Sequence, residues 1–194
     1  MAIESALETY PRVVALKSGV SVTLRPLVAT DYKALSAFYK ALPSEDLIFL
    51  KERISDSKVI RRWCSKIDYG RTLHLLALAA DQKIAGLASL DQDLAGWKRH
   101  IGRLNVHTVP EFRGKGIGRN LVGAIIDIAR QSGLTWLEAE LFDKQQAAIR
   151  MFGLLGFSNM LCVPDYVKDM QGGTHDYMLM GMRLITEEEY AGMG

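Results

Sequence analysis

The fold of this chain is decided by residues 101–119, which read Ile-Gly-Arg-Leu-Asn-Val-His-Thr-Val-Pro-Glu-Phe-Arg-Gly-Lys-Gly-Ile-Gly-Arg. The first nine residues predict a strand, and Pro110 ends it because proline has no N–H for a strand ladder. From Ile117 onwards apolar residues recur at steps of three and four, the pattern of a helix with one apolar face. Residues 113–118 therefore lie where the strand becomes the helix.

Three glycines at alternate positions in this turn, Gly114, Gly116 and Gly118, favour a bound anion. Without a Cβ they let a ligand approach the backbone, and their successive N–H groups can point at one anion. The start of the following helix adds unpaired N–H groups and a partial positive charge. Three basic side chains flank the glycines: Arg113, Lys115 and Arg119. Such a turn suits a pyrophosphate, and the alternative is a glycine-rich turn with solvated basic residues.

Two other nucleotide-binding motifs match this turn poorly. A P-loop needs G-x-x-x-x-G-K-[ST], but Gly118 is followed by Arg119 and Asn120. A Rossmann fingerprint needs G-x-G-x-x-G, whereas the spacing here is G-x-G-x-G and the strands before it look antiparallel. We therefore look for another class of cofactor site.

The pattern Arg113-x-x-Gly116-x-Gly118, preceded by residues 106–112, resembles the acyl-CoA site of GCN5-related N-acetyltransferases, the GNAT superfamily. A second segment resembles that superfamily's other signature, N-x-x-A-x-x-[LF]-Y-x-x-x-G-F. In this chain it reads Gln145-x-x-Ala148-Ile149-x-Met151-Phe152-x-x-x-Gly156-Phe157. Two motifs in the expected order are much harder to obtain by chance than either one. Residues 15–70 also resemble bacterial protein-lysine acetyltransferase domains, though less specifically.

The resemblance covers about residues 20–185 and implies an α/β fold. We expect a mixed, twisted and mostly antiparallel sheet with a splayed central strand and flanking helices. It would form a single N-acetyltransferase domain over residues 1–194, whose C-terminal tail is frayed.

Hydrophobic periodicity predicts the individual elements of this fold. Besides 101–109, strands are predicted at residues 12–16, 20–27, 72–79, 83–90, 134–141, 157–163 and 175–184. Helices are predicted at residues 30–42, 56–67, 117–131 and 144–155. Thr30 is the predicted N-cap of the first helix, and residues 164–174 form a predicted loop. Residues 49–53 either shape the acceptor pocket, as the resemblance implies, or form a solvated loop.

The resemblance implies that acetyl-CoA is the acyl donor and assigns two groups of residues to it. Val106, His107 and Thr108 would lie along the pantetheine arm, with an N–H for the thioester oxygen. The loop would bind the pyrophosphate through its amides, and its residues are Arg113, Gly114, Lys115, Gly116, Ile117, Gly118 and Arg119. Gln145, where relatives carry Asn, and Phe152 complete this set.

Acetyl transfer to an amine requires a base, because an ammonium with a pKa near 10.4 must lose its proton at a cost of about 4 to 5 kcal/mol at pH 7. Glu140 is our candidate, since it lies on the strand where some relatives place a catalytic glutamate. Glu138 shares its strand face and is the reserve. A charged residue at a strand end is the alternative for both. Many relatives carry a glutamate on the central strand, where this chain has Gly102-Arg103.

A proton donor for the leaving thiolate is also required, and relatives commonly use the tyrosine of the second signature. This chain has Phe152 there, which cannot donate a proton. Tyr166, Tyr177 or water must then replace it. His107 lies on the central strand, where a single histidine is more often structural than catalytic.

Composition limits the functional classes. The 194 residues carry a net charge of only +2 and no basic patch with interleaved aromatics, so we expect no nucleic-acid partner. The longest mostly apolar run, residues 73–80, is far shorter than a membrane helix. Two cysteines outside any C-x-x-C pair and four scattered histidines favour reduced thiols and no metal. With no signal peptide pattern, a cytoplasmic protein is expected.

We therefore expect an acetyl-CoA-dependent N-acetyltransferase that acts on a primary amine of a small molecule or a protein, as a monomer or a homodimer. The alternative is a non-catalytic acyl-CoA-binding sensor or interaction module. Phe152 and the missing central-strand glutamate favour this alternative. The intact glycine loop favours the enzyme.

Overall fold

The computed structural model describes residues 3–16, 19–47, 57–169 and 171–185. It contains an eight-stranded sheet in the order β1-β2-β3-β4-β5-β6-β8-β7. The strands are β1 (Arg12–Ala15), β2 (Ser21–Pro26), β3 (Thr72–Leu78), β4 (Ile84–Gln92), β5 (Ile101–Thr108), β6 (Trp136–Phe142), β7 (Ser158–Lys168) and β8 (Thr174–Arg183). Only β5 and β6 run parallel; the other neighbouring pairs are antiparallel. The predicted mixed, mostly antiparallel sheet is confirmed.

The parallel pairing of β5 and β6 is short. It runs from Ile101 opposite Trp136 to Arg103 opposite Glu138. Beyond that point β5 continues to Thr108 in register with β4, while β6 stays paired with β8. The two halves of the sheet therefore separate and leave a gap between the inner edges of β5 and β6. The predicted splayed central strand is confirmed.

Helices cover both faces of the sheet. They are α1 (Ile3–Leu7), α2 (Tyr32–Ala41), α3 (Ser44–Leu47), α4 (Ser57–Ser65), α5 (Ile117–Gln131) and α6 (Gln146–Leu154). On one face α5 packs against β3, β4 and β5, and α1 packs against α5. Gly86 permits this close packing, because a Cβ there would lie 2.7 Å from Ile117 Cγ2. On the other face, α2 packs against β4 and α4.

Strand alternation explains the two cores. Leu73, Leu75 and Leu104 point to the core beneath α5. Leu76 and Leu87 point to a second core with α2 and α4. Along each of these strands, alternate residues thus lie beneath α5, and the residues between them point to the face that carries α2 and α4.

Two local predictions are wrong. Thr30 is not the N-cap of α2; it lies in a 3₁₀ turn, and the Asp31 carboxylate accepts a hydrogen bond from the Val28 amide at 2.8 Å. The predicted loop 164–174 is strand in its first part, because β7 continues through Pro164 to Lys168. Strand β7 is the last strand of the sheet, and an edge strand tolerates proline because one of its sides needs no ladder N–H.

Other predictions concern the ends and one connection of the chain. No element was predicted before residue 12, where the structure has α1, whose Ile3 and Ala6 are buried. The predicted acceptor loop 49–53 and the predicted frayed tail after residue 185 lie outside the described residues.

An ion pair joins β2 to the start of α2. Both guanidinium nitrogens of Arg25 donate to the Asp31 carboxylate, at 2.7 and 2.6 Å. Burial alone would raise the pKa of Asp31, but the hydrogen bonds from Arg25 and from the Val28 amide outweigh burial and hold this pKa below its usual value. The pair therefore anchors α2 on the sheet.

We expect Asp31→Asn to lower the free energy of unfolding by about 2 kcal/mol at pH 7, because it breaks a charge-assisted, partly buried hydrogen-bond set. Asp31 stabilises the fold fully above its unfolded pKa of about 3.9, and this contribution is lost as pH falls through the lower folded value. Urea unfolding should therefore show the two proteins converging below about pH 4. The exposed Asp127→Asn is the control, and an equal loss in both variants would contradict the assignment.

Candidate functional site

A cavity of about 630 Å³ opens on the face of the sheet that carries α2 and α4. Its floor comes from β3, β4 and β5, with the side chains of His74, Ser89, Asp91, Asn105 and His107. One wall comes from α4 and the residue just after its end, with Arg62, Trp63 and Lys66. The opposite wall comes from β6, the start of α6 and β8, with Glu140, Leu141, Phe142, Gln145 and Tyr177. The cavity thus reaches from α4 to the gap between β5 and β6.

The polar floor follows from strand alternation and register. Ser89 lies opposite Asn105, and both point away from α5. Their neighbours Ala88, Leu90 and Leu104 are buried beneath α5. A shift of one residue in this register would turn the polar side chains into the core.

Glu140 and Tyr177 lie together at the gap. The Tyr177 hydroxyl lies beside the Glu140 carboxylate, which acts on its pKa. Burial, followed by the charges of Glu140 and Glu138, raises the pKa of Tyr177 to about 12. The phenol therefore keeps its proton at neutral pH, and a carboxylate that can accept a proton lies beside it.

The two other predicted catalytic residues do not line the cavity. Glu138 points to the same face as Glu140, but it is buried and its carboxylate lies 3.9 Å from Lys98 Nζ. Tyr166 is 68% exposed, and its ring contacts Tyr177 at a centroid distance of 5.6 Å. The structure thus brings Glu140 and Tyr177 together and leaves Glu138 and Tyr166 outside.

The glycine loop has a backbone that most residues cannot adopt. Gly114 and Gly116 have φ values of +73° and +89°, in the left-handed region where glycine carries no steric penalty. Gly116 is the N-cap of α5, so the N–H groups of the first helical turn have no partner within the helix. Arg113 donates to the Thr108 carbonyl at 3.2 Å and pairs with Asp46. This residue therefore ties the loop to the end of β5.

The remaining loop residues divide between core and solvent. Ile117, the first residue of α5, is buried in the core between the helix and the sheet and fixes the position of the helix N-terminus. Gly118 faces α6, since a Cβ there would lie 3.2 Å from Met151 Sδ. The Lys115 ammonium lies 5.0 Å from the centre of the Phe112 ring, and Arg119 is exposed.

The other residues assigned to the acyl donor occupy three different environments. His107 and Gln145 line the cavity, and burial lowers the pKa of His107. Val106 packs against the core beneath α5. Phe152 is only 1% exposed and packs edge-to-face on Phe157, at a centroid distance of 5.0 Å. Phe152 therefore does not line the cavity. Thr108 ends β5, where its carbonyl accepts the hydrogen bond from Arg113.

Sequence reasoning missed His74, Asp91 and Trp63. The rings of His74 and Trp63 lie 4.9 Å apart, and burial lowers the pKa of His74 to about 4, so the imidazole is neutral at pH 7. The sequence did carry a signal for a polar strand face, since polar residues stand at alternate positions in Thr72 with His74 and in Ser89 with Asp91. They lie in largely apolar runs that otherwise predict only buried strands.

The described residues contain no candidate metal site. None of their His, Cys, Asp and Glu side chains forms a group of three or more suited to a metal ion. Cys64 is buried, Cys162 is exposed, and both are free thiols. No helix in the described part of the chain is long and apolar enough to cross a membrane.

Comparison with known proteins gives one family. The model of the acetyltransferase (GNAT) family matches residues 36–157. Streptothricin acetyltransferase from Streptomyces lavendulae is 31% identical over 83 residues, which are 43% of this chain and 43% of that protein. The chain thus matches less than half the length of its curated relatives.

Solved structures share the fold. The GNAT domain of Streptomyces lividans PAT superposes with a TM-score of 0.73 at 18% identity, over 89% of this chain and 96% of that one. The acetyltransferase yncA from Salmonella typhimurium, solved with its cofactor acetyl-CoA, has a TM-score of 0.71 at 23% identity, over 86% and 95% of the two chains. At these identities the likeness concerns the fold alone.

The low pKa of His74 predicts a loss of stability in mild acid. An unfolded histidine takes up a proton below about pH 6.5, whereas His74 stays neutral until about pH 4. The stabilisation is therefore complete above pH 6.5 and is lost as pH falls toward the folded pKa. Urea unfolding should show that wild type loses about 3 kcal/mol more over this range than His74→Gln does. The exposed His100→Gln is the control, and it should keep the wild-type pH dependence.

Proposed function

Because the chain belongs to the acetyltransferase (GNAT) family, we propose that it is an N-acetyltransferase that transfers the acetyl group of acetyl-CoA to a primary amine. The observation that carries this proposal is the cavity that runs from α4 to the gap between β5 and β6. At that gap a neighbouring carboxylate and phenol, Glu140 and Tyr177, meet the floor of the cavity. A donor in the gap and an acceptor in the cavity would meet there.

The glycine loop suits the pyrophosphate of acetyl-CoA. Gly114 and Gly116 hold the backbone in the left-handed conformation that lets successive N–H groups face one anion. The N-terminus of α5 adds its partial positive charge, and Lys115 and Arg119 add full charges nearby. Arg113 holds the loop against the end of β5, because it donates a hydrogen bond to the Thr108 carbonyl and forms an ion pair with Asp46.

The gap suits the pantetheine arm. From Leu104 to Thr108, the edge of β5 that faces β6 has no ladder partner in β6. Backbone groups at such an edge can bind an extended chain that itself carries amides. The amides of Val106, His107 and Thr108 lie on this strand, with Gln145 across the gap. Phe152 would support this region from the core rather than by contact with the reacting atoms.

Glu140 and Tyr177 can perform the two proton transfers. The acceptor nitrogen attacks the thioester carbon and forms the amide bond as the carbon–sulfur bond breaks. Glu140 takes the proton that the nitrogen loses, and the Tyr177 hydroxyl gives its proton to the leaving thiolate. Because the two groups are neighbours, Glu140 can return its proton to Tyr177, directly or through water. Tyr177 would then supply the proton that relatives take from the tyrosine at the position of Phe152.

The reserve candidates fit this role less well. Glu138 lies beside Lys98 and does not line the cavity. Tyr166 is largely exposed. His107 lines the cavity and is a second group that could accept a proton, directly or through water.

The size of the cavity suits a small amine or a single side chain of a protein. The free thiols of Cys64 and Cys162 support a reducing, cytoplasmic location. A non-catalytic acyl-CoA-binding module is the second candidate, and the absence of a hydroxyl at Phe152 is the observation that favours it.

Gly116→Ala should weaken acetyl-CoA binding by about tenfold or more. Alanine at a φ of +89° costs roughly 1–2 kcal/mol, and the loop relieves this strain by turning its N–H groups away from one another. Calorimetry with acetyl-CoA measures the effect. Gly123→Ala is the matched control, because a Cβ at this helical position meets nothing within 4 Å. Equal affinity in a folded Gly116→Ala protein would remove the loop from the proposal.

Glu140→Gln should lower kcat by about 100-fold while the KM for acetyl-CoA changes little, because it removes the base and keeps the shape. Tyr177→Phe should lower kcat by about tenfold or more for the same reason. Thiol release with a panel of amines measures both. Glu138→Gln is the control on the same strand and should stay near wild type. If wild type binds acetyl-CoA but acetylates no amine, the non-catalytic module is the better account.

A further inference from the structure

His74 is a buried polar side chain that points into the cavity without a protein partner. It is 7% exposed and lines the cavity. Within the described part of the chain its ring nitrogens form no hydrogen bond, and its contact there is the Trp63 ring. A neutral imidazole carries one donor and one acceptor, and leaving both unpaired in a buried site is costly. Because His74 lines the cavity, water or a ligand there provides the partner.

Asp91 is a carboxylate on the same floor, one strand away from His74. Its Oδ1 accepts a hydrogen bond from the Thr72 hydroxyl at 2.8 Å. Among the described residues no Lys or Arg forms an ion pair with it. Arg103 is its cross-strand neighbour, but the Arg103 guanidinium pairs with Asp93 at 3.6 Å. A partly buried carboxylate without a basic partner among the described residues favours a cation in the cavity.

The basic groups of the cavity lie at its exposed side. Arg62 on α4 and Lys66 just after it are exposed, and exposed Arg71 pairs with Asp68 at 3.5 Å. The half-buried floor thus carries Asp91 and neutral His74, while the positive charge lies toward solvent. This distribution makes the inner part of the cavity attractive to a cation.

We propose that Asp91, His74 and Trp63 form a subsite for a second, cationic group of the acceptor, which makes the preferred acceptor a diamine. The carboxylate supplies the opposite charge, the neutral imidazole accepts a hydrogen bond, and the indole face attracts a cation. This inference rests on the proposed function for the reacting amine, which would lie in the gap between β5 and Glu140. It adds the chemical class of the acceptor to that function.

The sheet geometry sets the spacing between the two amines. Neighbouring strands lie about 4.8 Å apart, and β4 and β3 are one and two strands away from β5. The second cation would therefore lie about 5–10 Å from the reacting centre at the edge of β5. A linear diamine with a few methylene groups between its nitrogens covers this distance.

The test compares putrescine with butylamine, which has the same carbon chain and lacks the second amine. In wild type, kcat/KM for putrescine should exceed that for butylamine at neutral pH. Asp91→Asn should reduce this ratio by about 10- to 100-fold, mainly through the KM for putrescine. Asp127→Asn on the opposite face makes the same change of charge and should keep the wild-type ratio. Calorimetry of putrescine binding in the presence of CoA gives a readout that does not depend on turnover.

The outcomes separate the subsite from the proposed function. If wild type acetylates both amines equally well, or if Asp91→Asn lowers both rates alike, the subsite is wrong and the transfer activity stands. If neither amine is acetylated but putrescine binding depends on Asp91, the subsite stands and the transfer activity does not. If putrescine neither binds nor reacts, the subsite is wrong, and the panel of amines alone decides the transfer activity. His74→Phe provides a second variant, and it should weaken putrescine binding in the same direction.

Discussion

The candidate site depends on one constraint, which is that β5 and β6 pair only from Ile101 to Arg103. Further pairing would close the sheet, because the backbone groups of the two strands would satisfy each other. Their divergence leaves a gap that a chain with its own amides can fill, and it opens the cavity toward Glu140. The parallel direction of β5 and β6 contributes to this arrangement. It requires a crossover connection, and that connection is α5, whose N-terminus carries the glycine loop.

The two faces of the sheet perform different tasks. The face beneath α5 is apolar, and Gly86 lets the helix approach the strands closely enough to hold the loop in place. The opposite face has an apolar core only where α2 and α4 cover it. Between α4 and the gap, the same strands present polar side chains to the cavity. The ion pair of Arg25 and Asp31 holds α2 in its place, and α2 packs against α4, so the α4 wall of the cavity and the stability of the fold are linked.

Charge is unevenly distributed within the cavity, and the sheet produces this pattern. Alternation places Ser89 and Asp91 of β4 and Asn105 and His107 of β5 on one face, and the register brings Ser89 opposite Asn105. The pKa of His74 falls because its ring is buried, so a histidine that would be partly charged in water is neutral there. In contrast, Tyr177 keeps its proton partly because burial and two nearby carboxylates disfavour a phenolate. The same desolvation thus stabilises the neutral form of both groups.

The sequence alone determined the family, the order of most strands and helices, and the glycine loop, because these depend on local patterns. Period, turn chemistry and the spacing of Gly114, Gly116 and Gly118 can be read from neighbouring residues. It also named Glu140 and Tyr177, but it could not separate them from Glu138 and Tyr166. Only the tertiary structure decided which of these residues line the cavity, since that depends on strand register and on where β6 leaves β5. His74 and Asp91 came to light for the same reason: they are distant in the chain, and pairing of β3 with β4 brings them together.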